Sequence, residues 1–227
     1  MRNVFSTCFA WFRRYHHPYR DVHILVIGID NAGKSTTVAS IQNDSTDGIT
    51  PTIGFASSSL RMRRCDVTML DVGGGSKIRG IWENYYAEVH GIVFVIDASD
   101  AQRIGEARDV LEEVVKDARM GGKPVLLLAN KNDVDGAMDE IDVCNQLNVH
   151  ELMEQQQFSC QVEQCVAVKR KCDRAIMRGM KWLLQIVCDN YNALAERVNA
   201  DVAVQREEEA RERRERAERV RILREER

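Results

Sequence analysis

The eight residues Gly28-Ile29-Asp30-Asn31-Ala32-Gly33-Lys34-Ser35 constrain this chain more than any other stretch. They fit the pattern G-x-x-x-x-G-K-[ST]. They follow Val22 to Ile27, a short apolar run of the length and β-branched content of a buried strand. A helix is expected from about Lys34. Strand, glycine turn and helix in that order make a cradle for phosphate. The glycines let backbone amides turn inward, and the helix N-terminus adds its partial positive charge. Gly28, Asp30, Asn31, Ala32 and Gly33 would enclose the phosphates, with Thr36 beside them. Lys34 would reach the outer phosphates, and the Ser35 hydroxyl would ligate Mg²⁺.

Two later strand ends carry chemistry that suits such a cradle. Val67 to Leu70 ends in Asp71-Val72-Gly73-Gly74. A carboxylate there can hold Mg²⁺ through water, and the Gly74 amide can approach a γ-phosphate. Val125 to Ala129 ends in Asn130-Lys131-Asn132-Asp133. Asp133 can accept hydrogen bonds from a guanine's N1 and exocyclic N2, a donor pair that adenine lacks. Asn130 can tie this loop to the phosphate loop, and the Lys131 stem can cover the base plane. Further strands are expected at Ile92–Ile96 and, more weakly, Cys160–Glu163. Helices are expected at roughly Ser76–Glu88, Arg103–Ala118 and Met138–Glu154. Strands alternating with helices predict a parallel sheet covered on both faces. Ala56–Arg64 lies too close to the next strand for a helical crossover, so it reads as an antiparallel edge hairpin. Ile176, Met180, Leu183, Val187, Tyr191, Leu194, Val198 and Val202 recur every three or four residues, which predicts one long terminal helix.

Composition removes several classes. A net charge of −3 argues against a basic nucleic-acid binder, so no nucleic-acid partner is expected. Seven scattered cysteines without C-x-x-C spacing fit neither a disulfide scaffold nor a zinc site, and a reducing compartment is expected. No apolar run is long enough to span a bilayer. Phe9, Trp11 and Phe12 are followed by Arg13 and Arg14 rather than by a small-residue cleavage site, unlike a secretory signal. Phe5, Phe9 and Phe12 fall at helical spacing before a basic flank, as in an interfacial helix, and Cys8 beside them is an acylation candidate. Residues 206–227 hold nine Arg and eight Glu, a solvated helix stitched by i,i+4 pairs or the start of a coiled coil. The block lacks a helix-ending Gly or Pro, so a longer tail is expected.

In this order the motifs resemble the small GTPases over about Arg20 to Ala195. Pro51-Thr52-Ile53-Gly54-Phe55 with Asp71-Val72-Gly73-Gly74 narrows the resemblance to the Arf-like branch. The resemblance implies that Thr52 closes on Mg²⁺ and the γ-phosphate only in the GTP state, giving Ser35, Thr52 and, through water, Asp71 as the metal set. It places Cys165-Val166-Ala167 in the last guanine-binding loop, with Val166 and Ala167 as base contacts. The stretches Gly73 to Trp82 and Asn84 to Glu88 are similar to a ciliary member of the Arf-like family. That similarity implies a palmitoylated protein on the cytoplasmic face of the ciliary or flagellar membrane. It also implies exchange-factor activity toward another Arf-like GTPase and partners in ciliary trafficking. Two departures matter. Gly75 stands where the Arf pattern has the glutamine that orients the attacking water, so no catalytic residue is expected and hydrolysis should be very slow. Arg2 replaces the myristoylated glycine.

The expected architecture is an α/β small-GTPase fold with a six-stranded, mostly parallel sheet. An N-terminal anchor segment (1–19), an Arf-like GTP-binding domain (20–198) and a charged helical extension (199–227) divide the chain. The primary expectation is a membrane-attached switch using GTP/GDP and Mg²⁺. A hydrolysing GTPase completed by a partner and a static GTP-bound scaffold are the rivals.

Overall fold

The computed structural model describes residues 19–169 and 171–225. Its centre is a sheet of six strands: β1 (Arg20–Ile27), β2 (Phe55–Met62), β3 (Cys65–Val72), β4 (Gly91–Asp97), β5 (Val125–Asn130) and β6 (Cys160–Gln164). They lie in the order β2-β3-β1-β4-β5-β6. Only β2 runs antiparallel, paired to β3 from Phe55 opposite Val72 to Met62 opposite Cys65. The edge hairpin and parallel sheet are as expected.

Alternation along the strands builds two cores. Leu25, Ile27, Ile92, Phe94 and Leu127 face one side. There they meet α2 (Glu83–Tyr86), α3 (Ile104–Lys116) and the pair α4 (Glu140–Gln146) and α5 (Val149–Gln156). Ile24, Val26, Val93, Val95 and Leu128 face the other, under α1 (Lys34–Gln42) and α6 (Arg174–Asp189). Both faces are covered, which is why the central strands read as unbroken apolar runs.

Three expected helices come out differently. Ser76–Glu88 is not one helix but a 3₁₀ turn, Arg79–Ile81, followed by the short α2. The Trp82 indole N–H donates to the Gly73 carbonyl (2.9 Å) and Arg79 Nε to the Gly74 carbonyl (2.8 Å), drawing the segment inward. Met138–Glu154 is broken at Asn148, which takes φ 52°, a left-handed conformation that asparagine tolerates. The long terminal helix is two helices, α6 and α7 (Tyr191–Glu225), separated at Asn190. The Asn190 side chain donates to the Ile186 carbonyl (3.0 Å), competing for a backbone acceptor where the helix is interrupted.

α7 crosses the expected 198/199 boundary and its first half packs on the domain. Leu194 and Val198 are buried. Arg197 donates to the carbonyls of Gly121 and Ala118, and Gln205 Nε2 donates to the Asn84 carbonyl at 3.1 Å. Buried Lys123 donates to the Tyr86 carbonyl (2.6 Å) and Arg119 to the Glu83 carbonyl (3.0 Å), so three side chains cap α2 from outside. No helix among the described residues is long and apolar enough to cross a membrane.

The root of α7 rests on a histidine. Tyr191 stacks on His90 with ring centroids 5.8 Å apart. His90 Nδ1 accepts from the His23 backbone N–H (3.2 Å), and the His90 backbone N–H donates to the His23 carbonyl (2.8 Å). Burial, then the neighbouring His23 and Lys123, push the His90 imidazole down to about 4. Folded His90 stays neutral while the unfolded chain takes up a proton below about 6.5, so its contribution is present above that pH and lost toward 4. Between pH 7 and 4.5 the wild type is expected to lose about 2 kcal/mol more stability than His90→Asn, which keeps an acceptor without the titration. Urea denaturation at the two pH values checks this, and parallel losses would refute it.

Candidate functional site

The loops at the C-terminal ends of β1, β3, β5 and β6 converge, as ligand-binding loops do in open α/β sheets. They surround a cleft of about 480 Å³. Asp30, Asn31, Gly33, Lys34, Ser35 and Thr36 form its floor, Thr52 and Gly74 one wall, and Asn130 and Lys131 the other. These are ten of the sequence-expected residues, brought together from four separate stretches.

The backbone explains the glycines. Gly28 has φ 141°, and a Cβ there would sit 2.2 Å from the Val95 carbonyl oxygen. Gly33 caps α1 in the left-handed region at φ 90°, and a Cβ there would strike the Asn130 side chain at 2.3 Å. Gly74 lies so close to the phosphate loop that a Cβ would meet the Gly28 carbonyl oxygen at 2.3 Å. Asn130 holds the loops in register. Its Nδ2 donates to the Ala32 carbonyl and its Oδ1 accepts from the Ala167 N–H, both at 2.9 Å. Ala32 is therefore a buried brace behind the cleft.

The cleft holds a buried cation. Lys34 is buried, with Nζ donating to the Ile29 carbonyl at 2.9 Å. Burial pushes its ammonium down to about 8, against the opposing pull of Asp71 and Asp30. A buried ammonium at the N-terminus of α1 suits an anion. Beside it, Ser35 Oγ and Thr52 Oγ1 are 2.7 Å apart, and Thr52 donates to Asp71 Oδ2 at 3.1 Å. Asp71 Oδ1 is buried without a partner. Two hydroxyls and one carboxylate with a spare oxygen fit a hard divalent cation that takes its remaining ligands from phosphate and water. No cluster of three acidic, His or Cys ligands exists among the described residues. The donor set therefore suits a cation shared with a bound anion rather than a protein-only cage.

The base-facing end is less complete. Asp133 lies exposed in the turn after β5. The Asn132 N–H donates to the Cys165 carbonyl (3.2 Å), joining this turn to the loop after β6. The Val166 N–H donates to Asp173 Oδ2 (3.0 Å) and the Ala167 N–H to Asn130, so both backbone amides are engaged within the protein. Val168, which the motifs did not single out, lines the cleft instead. Lys131 adopts φ 63° and pairs with Asp97 Oδ2 at 2.5 Å, which fixes its stem. Cys8 lies outside the described residues.

A charge network also escaped the motif reading. Asp30 in the phosphate loop pairs with Arg103 (2.7 Å) and Arg79 (3.6 Å), and both arginines reach Glu106, at 2.9 and 2.5 Å. The Arg103 hydrogen bond chiefly holds the Asp30 carboxyl below its usual range. Only the Arg103–Glu106 spacing of three was visible locally, because the other pairs join distant segments.

The sequence profile of the ADP-ribosylation factor family matches residues 8–187. The chain belongs to this family. As an Arf-like protein it is 37% identical over 195 residues to ADP-ribosylation factor-like protein 13B of Chlamydomonas reinhardtii. That match covers 83% of this chain but only 36% of the algal protein, so the chain spans about a third of that relative's length. It is 30% identical to ADP-ribosylation factor-like protein 2 of Arabidopsis thaliana, covering 76% of this chain and 91% of that one. The Arf-like architecture is shared with the Arl6 BBS3 small GTPase of Trypanosoma brucei, solved with the bound nucleotide analogue GppNp. The TM-score is 0.65 at 25% identity, over 78% of this chain and 99% of that one.

Proposed function

We propose that this Arf-like protein is a membrane-attached guanine-nucleotide switch that holds GTP with almost no hydrolysis and acts through protein partners. The single observation carrying the proposal is the cleft, in which a buried lysine at the start of α1 lies next to an aspartate with an unpartnered oxygen. In this reading the loop from Gly28 to Ser35 and Lys34 bind the phosphates. Ser35 and Thr52, with Asp71 through water, hold Mg²⁺, which supplies charge neutralisation when bound. Asp133 selects guanine, while Asn130 and Lys131 support the base. Ordering of Thr52 and of the segment Gly74–Trp82 creates the partner surface.

Gly75 supports slow turnover, since it offers no side chain to orient water. Anchoring through Cys8 and the aromatic N-terminal segment places the switch on the cytoplasmic face of the ciliary membrane. The similarity to the ciliary branch supports roles in ciliary protein trafficking and in nucleotide exchange on another Arf-like GTPase. A partner-activated hydrolysing enzyme is the second reading. The room at Gly75 favours it, because an added Cβ would make only an ordinary contact with Ile78 Cγ1 at 3.8 Å.

One loading experiment tests the proposal. Protein incubated with labelled GTP against excess ATP, then followed in a single turnover, is expected to retain intact GTP and exclude ATP. Gly75→Gln, which the space admits, should hydrolyse its GTP about tenfold faster or more. Equal loading with ATP would end the guanine reading. Rapid hydrolysis by the isolated wild type would end the slow-switch reading.

A further inference from the structure

We propose that Cys65 and Cys188 form a thiol pair that closes reversibly into a disulfide, joining the first residue of β3 to the last turn of α6. Their sulfurs lie 3.0 Å apart although 123 positions separate them in sequence. That is about 1 Å beyond a covalent S–S bond.

The two thiols differ in access, as a reversible pair requires. Cys65 is fully buried, its sulfur directed to the Arg63 carbonyl at 3.7 Å. Cys188 is partly exposed and lines a shallow cavity of about 270 Å³ with Arg20, Asn190 and Tyr191. Arg20 donates to the Cys188 carbonyl and places its guanidinium 5.0 Å from the centre of the Tyr191 ring. Its charge therefore lies beside the pair, on the open side of the Cys188 sulfur's cavity. Burial, then the hydrogen bond with Cys188, push the Cys65 thiol up to about 12. The more accessible Cys188 is thus the attacking thiol and buried Cys65 the resolving one.

The oxidant is a low-molecular-weight disulfide such as oxidised glutathione. The Cys188 thiolate attacks it, forms a mixed disulfide and releases one small thiol. Cys65 sulfur then attacks Cys188 sulfur, displacing the second small thiol, which carries away the Cys65 proton. Two protein thiols are oxidised by two electrons and one small disulfide is reduced to two thiols. The product ties the α6–α7 junction, already held by Arg20 and by the Tyr191 hydroxyl on the Asp21 carbonyl (3.2 Å), covalently to the sheet.

The full chain, folded and equilibrated in glutathione redox buffers, is quenched by alkylation and peptide-mapped. A Cys65–Cys188 cross-linked peptide is expected under excess oxidised glutathione, with a rise in melting temperature of roughly 5 °C or more that dithiothreitol reverses. Cys65→Ser should instead accumulate a glutathione adduct on Cys188, while Cys188→Ser should show neither adduct nor shift. A stable adduct on wild-type Cys188 that never resolves would overturn the proposal. So would a cross-link between other cysteines, or one that forms only in denaturant.

Discussion

Replacing Lys34 with methionine is expected to weaken GTP binding by about thirty- to several-thousand-fold while leaving the unliganded fold intact. Removing one partner of a buried, hydrogen-bonded charge pair costs about 2–5 kcal/mol, and in the nucleotide complex Lys34 would be such a partner. The unliganded protein should respond in the opposite direction. Without phosphate the Lys34 ammonium is buried and its proton is held less tightly than in the unfolded chain. That penalty is full below about pH 8 and vanishes above about 10.5. Methionine keeps the stem and removes the charge, so at pH 7 stability should hold or rise by up to about 2 kcal/mol. Fluorescent-nucleotide titration and urea denaturation read the two quantities separately. A variant that lost stability in step with binding would show Lys34 to be a structural residue.

The second large effect is expected at the root of the tail helix. Leu194 and Val198 are 6% and 9% exposed, and Leu194 belongs to the same core as Ile176 and Leu183. Leu194→Asp with Val198→Asp should lower stability by about 4–7 kcal/mol, since each change removes buried apolar surface and buries a carboxylate. Domains of this size are stable by about 5–15 kcal/mol, so the double variant should be partly unfolded at 37 °C. Val204→Asp makes a suitable control, because Val204 is 57% exposed on the same helix. Its effect should stay within about 0.5 kcal/mol. Normal urea unfolding of the double variant would mean that the first turns of α7 do not rest on the domain in solution.

The sheet was legible because each of its signals is local. A run such as Ile92 to Ile96 needs no partner to be read as a buried strand, and glycines at Gly28 and Gly33 announce a turn within a few residues. The cradle followed from eight consecutive residues, and Asn130 was assigned to brace it because its motif sits at a strand end. What stayed hidden depends on distant pairs or on single torsions. Asn190 interrupts the terminal helix without interrupting the three-and-four spacing of apolar residues, so periodicity ran through the break. Asp30, Arg79 and Arg103 come from three segments, and their pairing needs the folded arrangement. The meeting of Cys65 and Cys188 is of the same kind. The backbone amides of Val166 and Ala167 show a further limit. A loop can be placed by its motif while the direction of each N–H depends on neighbours such as Asp173.

The seating of α7 makes it a lever. Its root is held at Tyr191, and among the described residues Gln205 on the Asn84 carbonyl of α2 holds it farther along. At 1.5 Å per residue these points are about 21 Å apart, and the charged stretch to Glu225 adds about 30 Å. A straight helix pivoting at Tyr191 therefore multiplies any displacement of α2 by roughly two and a half at its far end. α2 directly follows Trp82, whose indole is bonded to the Gly73 carbonyl at the edge of the cleft. An ångström of movement at α2 would thus become more than two at the tip of the helix.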